Sequence, residues 1–227
     1  MENRRQFFKK SIGFMAGAGI LFSPLAAFVQ RVYGEAKRII LPKGTRRQTL
    51  VQKNPKSLDT RNLEITPLKD FETMGLTDYE VDLAQWRLRL EGAVGEPLQL
   101  TYGEITALPS MEKEVLLICP GFFAIHGRWK GIAMKHLLDT AKMDKGATHV
   151  TFSGPKGRYE KVDSFPIDEI RMGKVFLAYG VNGKPLPRKH GFPLRIVAED
   201  HYGGEWVKYV YKVTVENKNA PSKGGIS

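Results

Sequence analysis

Residues 175–181, Val-Phe-Leu-Ala-Tyr-Gly-Val, form an apolar run that stops at Asn182-Gly183. Asn-Gly supplies the two positive-φ positions of a tight hairpin turn, so this stretch is read as a buried strand that reverses on itself. Several other segments have strand character. Trp86-Arg87-Leu88-Arg89-Leu90 alternates apolar and polar, as a half-buried strand does. Val115–Ile118 runs into Cys119-Pro120-Gly121, and His149–Phe152 and Leu194–Val197 are further short runs. Trp206 to Val215 is predicted as one strand, with Val207, Tyr209, Tyr211, Val213 and Val215 on a single face. Helices fall between them. Thr101 and Glu104 have capping-box spacing, which predicts a short helix to about Leu108 that Pro109 ends. Ala133–Ala141 places Leu137, Leu138 and Ala141 on one helical face. Pro166 opens another helix, with Asp168 and Glu169 in the first turn where the dipole favours acids. Strands outnumber helices and the helices are interspersed irregularly, so the fold class is α+β with a mixed sheet. One domain is expected over residues 37–227. Its first part, residues 37–82, is rich in Lys, Arg, Asn, Pro and Thr and reads as an extended arm wrapped on the rest.

The chain has 227 residues, enough to bury a real core. Its formal charge is +11, of which +3 falls in residues 1–36. The remaining +8 favours anionic partners without naming one. The glycines form neither G-x-G-x-x-G nor a P-loop, so no nucleotide signature is present. No nucleic-acid recognition motif accompanies the positive charge, and nucleic acid is not expected as a partner. Cys119 is the single cysteine. That excludes an intrachain disulfide, a zinc site of several cysteines and a C-x-x-C-H haem attachment.

The first 36 residues read as an address. Arg4-Arg5-Gln6-Phe7-Phe8-Lys9-Lys10 precedes an apolar run from Ser11 to Val29. A basic segment followed by an apolar one is an export signal, and the arginine pair followed by Phe-Phe-Lys resembles the twin-arginine type. The competing reading is a membrane anchor over residues 11–29, near the minimum spanning length and interrupted by Pro24. Gly34-Glu35-Ala36 fits a cleavage site. The expected location is therefore periplasmic or otherwise extracytoplasmic, free or anchored. The twin-arginine route carries folded proteins, commonly with a cofactor already inserted.

Two clusters could carry chemistry. Cys119 closes an apolar strand and enters a Pro-Gly turn, with His126 and Arg128 seven and nine residues on. Most lone cysteines are small buried hydrophobes, and the two basic residues are ordinary loop residues unless a thiolate or an anion stands between them. The second cluster runs from Asn182 through His190-Gly191-Phe192-Pro193-Leu194-Arg195 to His201-Tyr202-Gly203-Gly204 and Trp206-Val207-Lys208. Glycines with flanking His, Arg and Lys can present N–H groups and cations to a phosphate, or can simply form an exposed basic hairpin.

Three separated blocks resemble the sulfite oxidase superfamily of molybdopterin enzymes. The first is Leu117-Ile118-Cys119 followed by Gly127-Arg128-Trp129-Lys130-Gly131-Ile132. The second is Leu177-Ala178-Tyr179 through Asn182-Gly183-Lys184-Pro185-Leu186-Pro187 to His190-Gly191-Phe192-Pro193-Leu194-Arg195, and the third is Trp206-Val207-Lys208. The resemblance covers most of residues 60–216. It implies a molybdenum–molybdopterin cofactor with Cys119 as the thiolate ligand of the metal. It also implies pterin contacts from His190, Arg195, Trp206, Val207 and Lys208, from Arg61-Asn62 in an early segment, and from Ser153 and Gly154 by spacing. Arg128 and Tyr159 are the implied catalytic candidates beside Cys119.

Where sulfite oxidases follow the ligand cysteine with cations, this chain has Pro120-Gly121-Phe122-Phe123-Ala124-Ile125. An apolar rim disfavours a sulfite dianion, which needs paired charges to be desolvated. The family's active-site tyrosine lies five residues before a proline; here that position is Lys161, and Tyr159 is two residues earlier. The expected layout is a lone molybdenum domain, monomeric, as in the family's periplasmic protein-methionine-sulfoxide reductase branch, without haem or immunoglobulin-like domains. The expected activity is two-electron oxygen-atom transfer, in the direction of sulfoxide or N-oxide reduction. Sulfite oxidation and an inactive scaffold are the alternatives. With no second redox motif in the chain, a separate haem or quinone-linked partner would exchange the electrons.

Overall fold

Two five-stranded sheets form the frame. The computed structural model describes residues 38–157 and 160–218. The chain divides into two units, residues 1–39 and 40–227. Residues 1–36, read above as an export signal or anchor, lie outside the described residues, and so does Tyr159. Among the described residues no helix is long and apolar enough to cross a membrane.

The elements that matter are β1 (Leu88–Gly92), β2 (Leu98–Leu100), α1 (Tyr102–Ala107), β3 (Ser110–Cys119), β4 (Phe123–Ala133), α2 (Met134–Thr140) and β5 (His149–Ser153). They are followed by β6 (Val162–Pro166), α3 (Ile167–Arg171), β7 (Val175–Val181), β8 (Lys184–Pro185), β9 (Arg195–Ala198) and β10 (Lys212–Glu216). The first sheet runs β8-β7-β4-β3 with β9 also paired to β7, all antiparallel. The second runs β2-β1-β10-β5-β6, and its β1–β10 pair is parallel. The α+β, mixed-sheet expectation is thus met. Local signals are met as well. Asn182 and Gly183 both have positive φ, and Lys184 pairs back with Val181. Thr101 and Glu104 form a reciprocal capping box at the start of α1.

Alternation in β3 and β4 sorts side chains onto two faces. Val115 and Leu117 face the main core, while Leu116, Ile118 and Ala124 face a smaller cluster with Leu41, Leu50, Val51, Leu58 and Leu63. The apolar residues of this early segment therefore cover the outer face of the β3–β4 hairpin. Thr66 donates to the His126 carbonyl at 2.8 Å, and the His126 amide donates to Thr66 Oγ1 at 3.0 Å, which stitches the arm's end to β4.

One expectation is corrected. Trp206–Val215 is not one strand. Tyr209 has a φ of 55°, which breaks the extended chain. Before the break, Ile196 donates to Val207 O, Lys208 bridges Arg195 and Val210 donates to Leu194 O. After it, Tyr211 donates to Ser153 O and β10 joins the second sheet. The segment crosses from one sheet to the other, and a period-2 pattern carries no sign of that crossing.

Gly131 sits at the irregularity where β4 shifts register against β7. A Cβ there would overlap the Leu177 carbonyl and crowd Ala178 Cα. Gly131→Ala must push two central strands apart, so a stability loss of about 1–3 kcal/mol is expected in urea unfolding.

Candidate active site

Cys119 ends β3 on the side of Leu117 and opens into a cavity of about 330 Å³. The β4 side chains Phe123, Ile125 and Trp129 form one wall. His190, from a 3-10 turn over Arg188–His190, and Arg195, at the start of β9, form the floor. Gly203, Gly204, Trp206, Lys208 and Tyr209 close the far side. Phe71 is buried against Trp129 and His190, and Thr73–Leu76 continue to the open side, with the Met74 sulfur 3.1 Å from the Cys119 sulfur. The walls around the thiol are thus mainly apolar, and burial raises its pKa.

The deep end is cationic. Arg195 is 5% exposed and His190 2%. The guanidinium lies 5.0 Å from the Trp129 ring and 5.5 Å from the Trp206 ring, which meet edge to face. It donates to His190 O at 3.0 Å and to Ile196 O at 3.3 Å. Among the described residues no carboxylate pairs with it, and burial pulls its pKa down to about 10. A guanidinium has five N–H donors, so this one keeps donors free for a ligand. His190 Nε2 is buried without a hydrogen-bond partner. Burial, together with the charges of Arg195, Lys189 and Lys208, lowers its pKa to about 4. Lys208 is lowered to about 8 by burial and by Arg195. Glycine at 191 has a φ of 106°, and a Cβ there would press on the β carbons of both Lys208 and Arg195. The chain can fold closely around these two side chains because that position lacks a side chain.

This set of groups suits an anionic cofactor with a soft metal. An orphaned imidazole nitrogen and a buried, uncompensated guanidinium are costly in an empty protein and are relieved by a phosphate. A thiolate is the preferred protein donor for a thiolate-rich metal centre.

His190 also sets an acid limit. Its neutral form is favoured in the folded chain, so the unfolded state takes up a proton near pH 6.5 and the native state only near pH 4. Stability present at neutral pH is therefore lost as pH falls between those values, by about 3 kcal/mol at full effect. Urea midpoints between pH 7 and 4 should fall in wild type, and His190→Gln should flatten that part of the fall.

The structure brings Cys119, His190, Arg195, Trp206 and Lys208 to one cavity. Val207 is fully buried behind it and offers its backbone oxygen to Ile196. Ser153 and Gly154 are buried near the segment 207–211 but do not line the cavity; Pro155 does. Other expected residues lie elsewhere. Arg128 stands on β4 across from Glu114, half exposed and bonded to it at 2.9 Å. Arg61 is exposed and paired with Asp59, and Asn62 bonds Leu41 O. Neither Arg128, Arg61 nor Asn62 lines the cavity, because Arg128 points outward on its strand and the other two belong to the arm. His126 is buried against the arm, with Nδ1 at 2.9 Å from Leu63 O. Sequence reasoning missed Phe71, Thr73, Met74, Leu76 and Tyr209 as lining residues. The first four lie in a stretch without periodicity, and Tyr209 was assigned to a strand face. Lys161 lines the cavity and pairs with Asp163 at 3.0 Å.

The fold is that of a molybdopterin-dependent oxidoreductase of the sulfite oxidase superfamily. The chain belongs to the oxidoreductase molybdopterin binding domain family, which it matches over residues 75–223. It is 27% identical over 148 residues to the uncharacterized oxidoreductase YuiH of Bacillus subtilis (strain 168), covering 65% of this chain and 73% of that one. It is 27% identical over 154 residues to the protein-methionine-sulfoxide reductase catalytic subunit MsrP of Gluconobacter oxydans (strain 621H), covering 60% of this chain and 49% of that one. It is 29% identical over 162 residues to the NADH nitrate reductase of Volvox carteri, covering 58% of this chain but 19% of that one. Among solved structures, the sulfane dehydrogenase SoxCD of Paracoccus pantotrophus shares the fold, with a TM-score of 0.58 and 23% identity over 62% of this chain and 40% of that one.

Proposed function

We propose that this chain is an exported enzyme that reduces a sulfoxide or N-oxide by two-electron oxygen-atom transfer. The observation that carries the reading is the cavity itself, with one thiol among apolar walls and a cationic floor that has no carboxylate partner among the described residues. Cys119 Sγ would hold the metal, and Arg195 and His190 Nε2 would hold the phosphate of the pterin. The cofactor, when bound, supplies the redox chemistry at molybdenum. The chain's own residues bind, orient and shield. Arg195 is fixed between two indole rings, so its free donors are pre-aimed. Phe123, Ile125, Trp129 and Leu117 exclude water around Cys119. Such walls favour neutral oxide substrates and products over a sulfite dianion, whose desolvation they do not compensate. Electrons come from a separate haem- or quinone-linked partner. Export rests on Arg4-Arg5 and the apolar run that follows.

The test is a substrate panel with a reduced dye as electron donor. Dimethyl sulfoxide, methionine sulfoxide and trimethylamine N-oxide should each be turned over or rejected on size, and sulfite with an oxidised dye should be inert. Turnover of sulfite alone would reverse the assigned direction.

A further inference from the structure

The Lys208 ammonium is surrounded by protein oxygens. It donates to Met74 O at 2.9 Å, Thr73 Oγ1 at 3.1 Å, Lys189 O at 3.2 Å and Leu76 O. An ammonium has three N–H donors, so four oxygens leave none for a ligand. Arg195, by contrast, uses two of its five. The two cations of the cavity therefore differ in what they can still bind.

Three of the four oxygens belong to residues 73–76. That segment makes no backbone–backbone hydrogen bond among the described residues, and Met74 and Gly75 are exposed. Side chains hold it instead. Thr73 Oγ1 donates to Lys189 O at 3.3 Å, Tyr209 donates to Leu76 O at 3.4 Å, and Lys208 joins the two segments. The held segment puts the Met74 sulfur 3.1 Å from Cys119. Met74 is thus the group next to the proposed metal ligand on the open side of the cavity.

We infer that residues Thr73–Leu76 form a strap latched by Lys208, and that the strap seats Met74 over Cys119 and so controls what reaches the metal ligand. Lys208 is a positioning residue for the strap in place of the pterin contact that the family resemblance implies, and Arg195 alone of the two carries the phosphate. The inference rests on the reading of Cys119 as the metal ligand.

Two measurements test it on the full chain. In protein purified from cells that make the cofactor, Lys208→Met should raise amide hydrogen exchange across residues 72–76 by about tenfold or more, with molybdenum and pterin per chain unchanged. Arg195→Met should do the reverse, losing molybdenum with the strap's exchange unchanged. In protein expressed without molybdenum, Met74→Ala should speed iodoacetamide alkylation of Cys119 by about tenfold or more, because the thiol loses its cover. Met74 is exposed, so that variant keeps the fold. Wild-type strap exchange in Lys208→Met, or loss of its molybdenum to the level of Arg195→Met, overturns the latch. Unchanged alkylation in Met74→Ala overturns the cover. The alkylation experiment needs no cofactor, so failure of the functional reading shows separately, as wild-type protein without molybdenum.

Discussion

Cys119→Ser is expected to abolish turnover, by a factor of about a thousand or more, while leaving the fold standing. Cys119 is the only cysteine of the chain, and the cavity holds no second thiolate. A hydroxyl of similar size is a poor donor to a soft metal at neutral pH. The substitution removes little else. Among the described residues the sulfur's hydrogen-bond partner is the Met74 thioether, and β3 is held by its ladder to β4 along ten residues. Urea midpoints of metal-free wild type and variant should therefore agree within about 0.5 kcal/mol. Retained turnover in the serine variant would remove Cys119 from the site.

Arg195→Met carries the second large effect, and its sign depends on whether the cofactor is present. In the empty chain Arg195 is a buried cation with no carboxylate partner among the described residues, so a flexible apolar side chain between Trp129 and Trp206 should leave stability equal or raised. In the loaded chain the same change removes charge-assisted bonds worth about 1.5–3 kcal/mol, roughly ten- to a hundredfold in cofactor affinity. Ligand binding stabilises the native state by mass action, so the variant should melt below loaded wild type and at or above empty wild type. Parallel melting curves with and without cofactor check this. A variant that melts below wild type in both states would make Arg195 a structural cation only.

What was legible in the sequence was local. Asn182-Gly183 specified its hairpin through two positive-φ positions, and Thr101 and Glu104 specified the start of α1 through reciprocal bonds. Val115–Ile118 was legible as a strand entering Cys119, but its two faces were not, because the run is apolar throughout and both faces are buried. The site's composition was legible only in part. Cys119, His190, Arg195 and Lys208 stood out as residue types near turns, but their different states did not. Arg195 is enclosed by Trp129, 66 positions earlier in the chain, and by Trp206, and no local pattern encodes such an enclosure. The saturation of Lys208 depends on carbonyl oxygens of residues 74 and 76, which have no side-chain signature. Tyr209 hid the sheet crossing, because alternating apolar residues continue through it while the backbone does not. Arg128 shows the opposite error. Nine residues beyond Cys119 along a hairpin is a long way in space, and the residue ends at Glu114 on the outer surface.

The most direct test of the account is the metal and pterin content of the full chain, purified from cells that make the cofactor and export it. Elemental analysis and fluorescence of the released, oxidised pterin should give about one molybdenum and one pterin per chain in wild type, and close to no molybdenum in Cys119→Ser. Wild-type protein that carries neither, from cells whose other molybdenum enzymes are loaded, would contradict it.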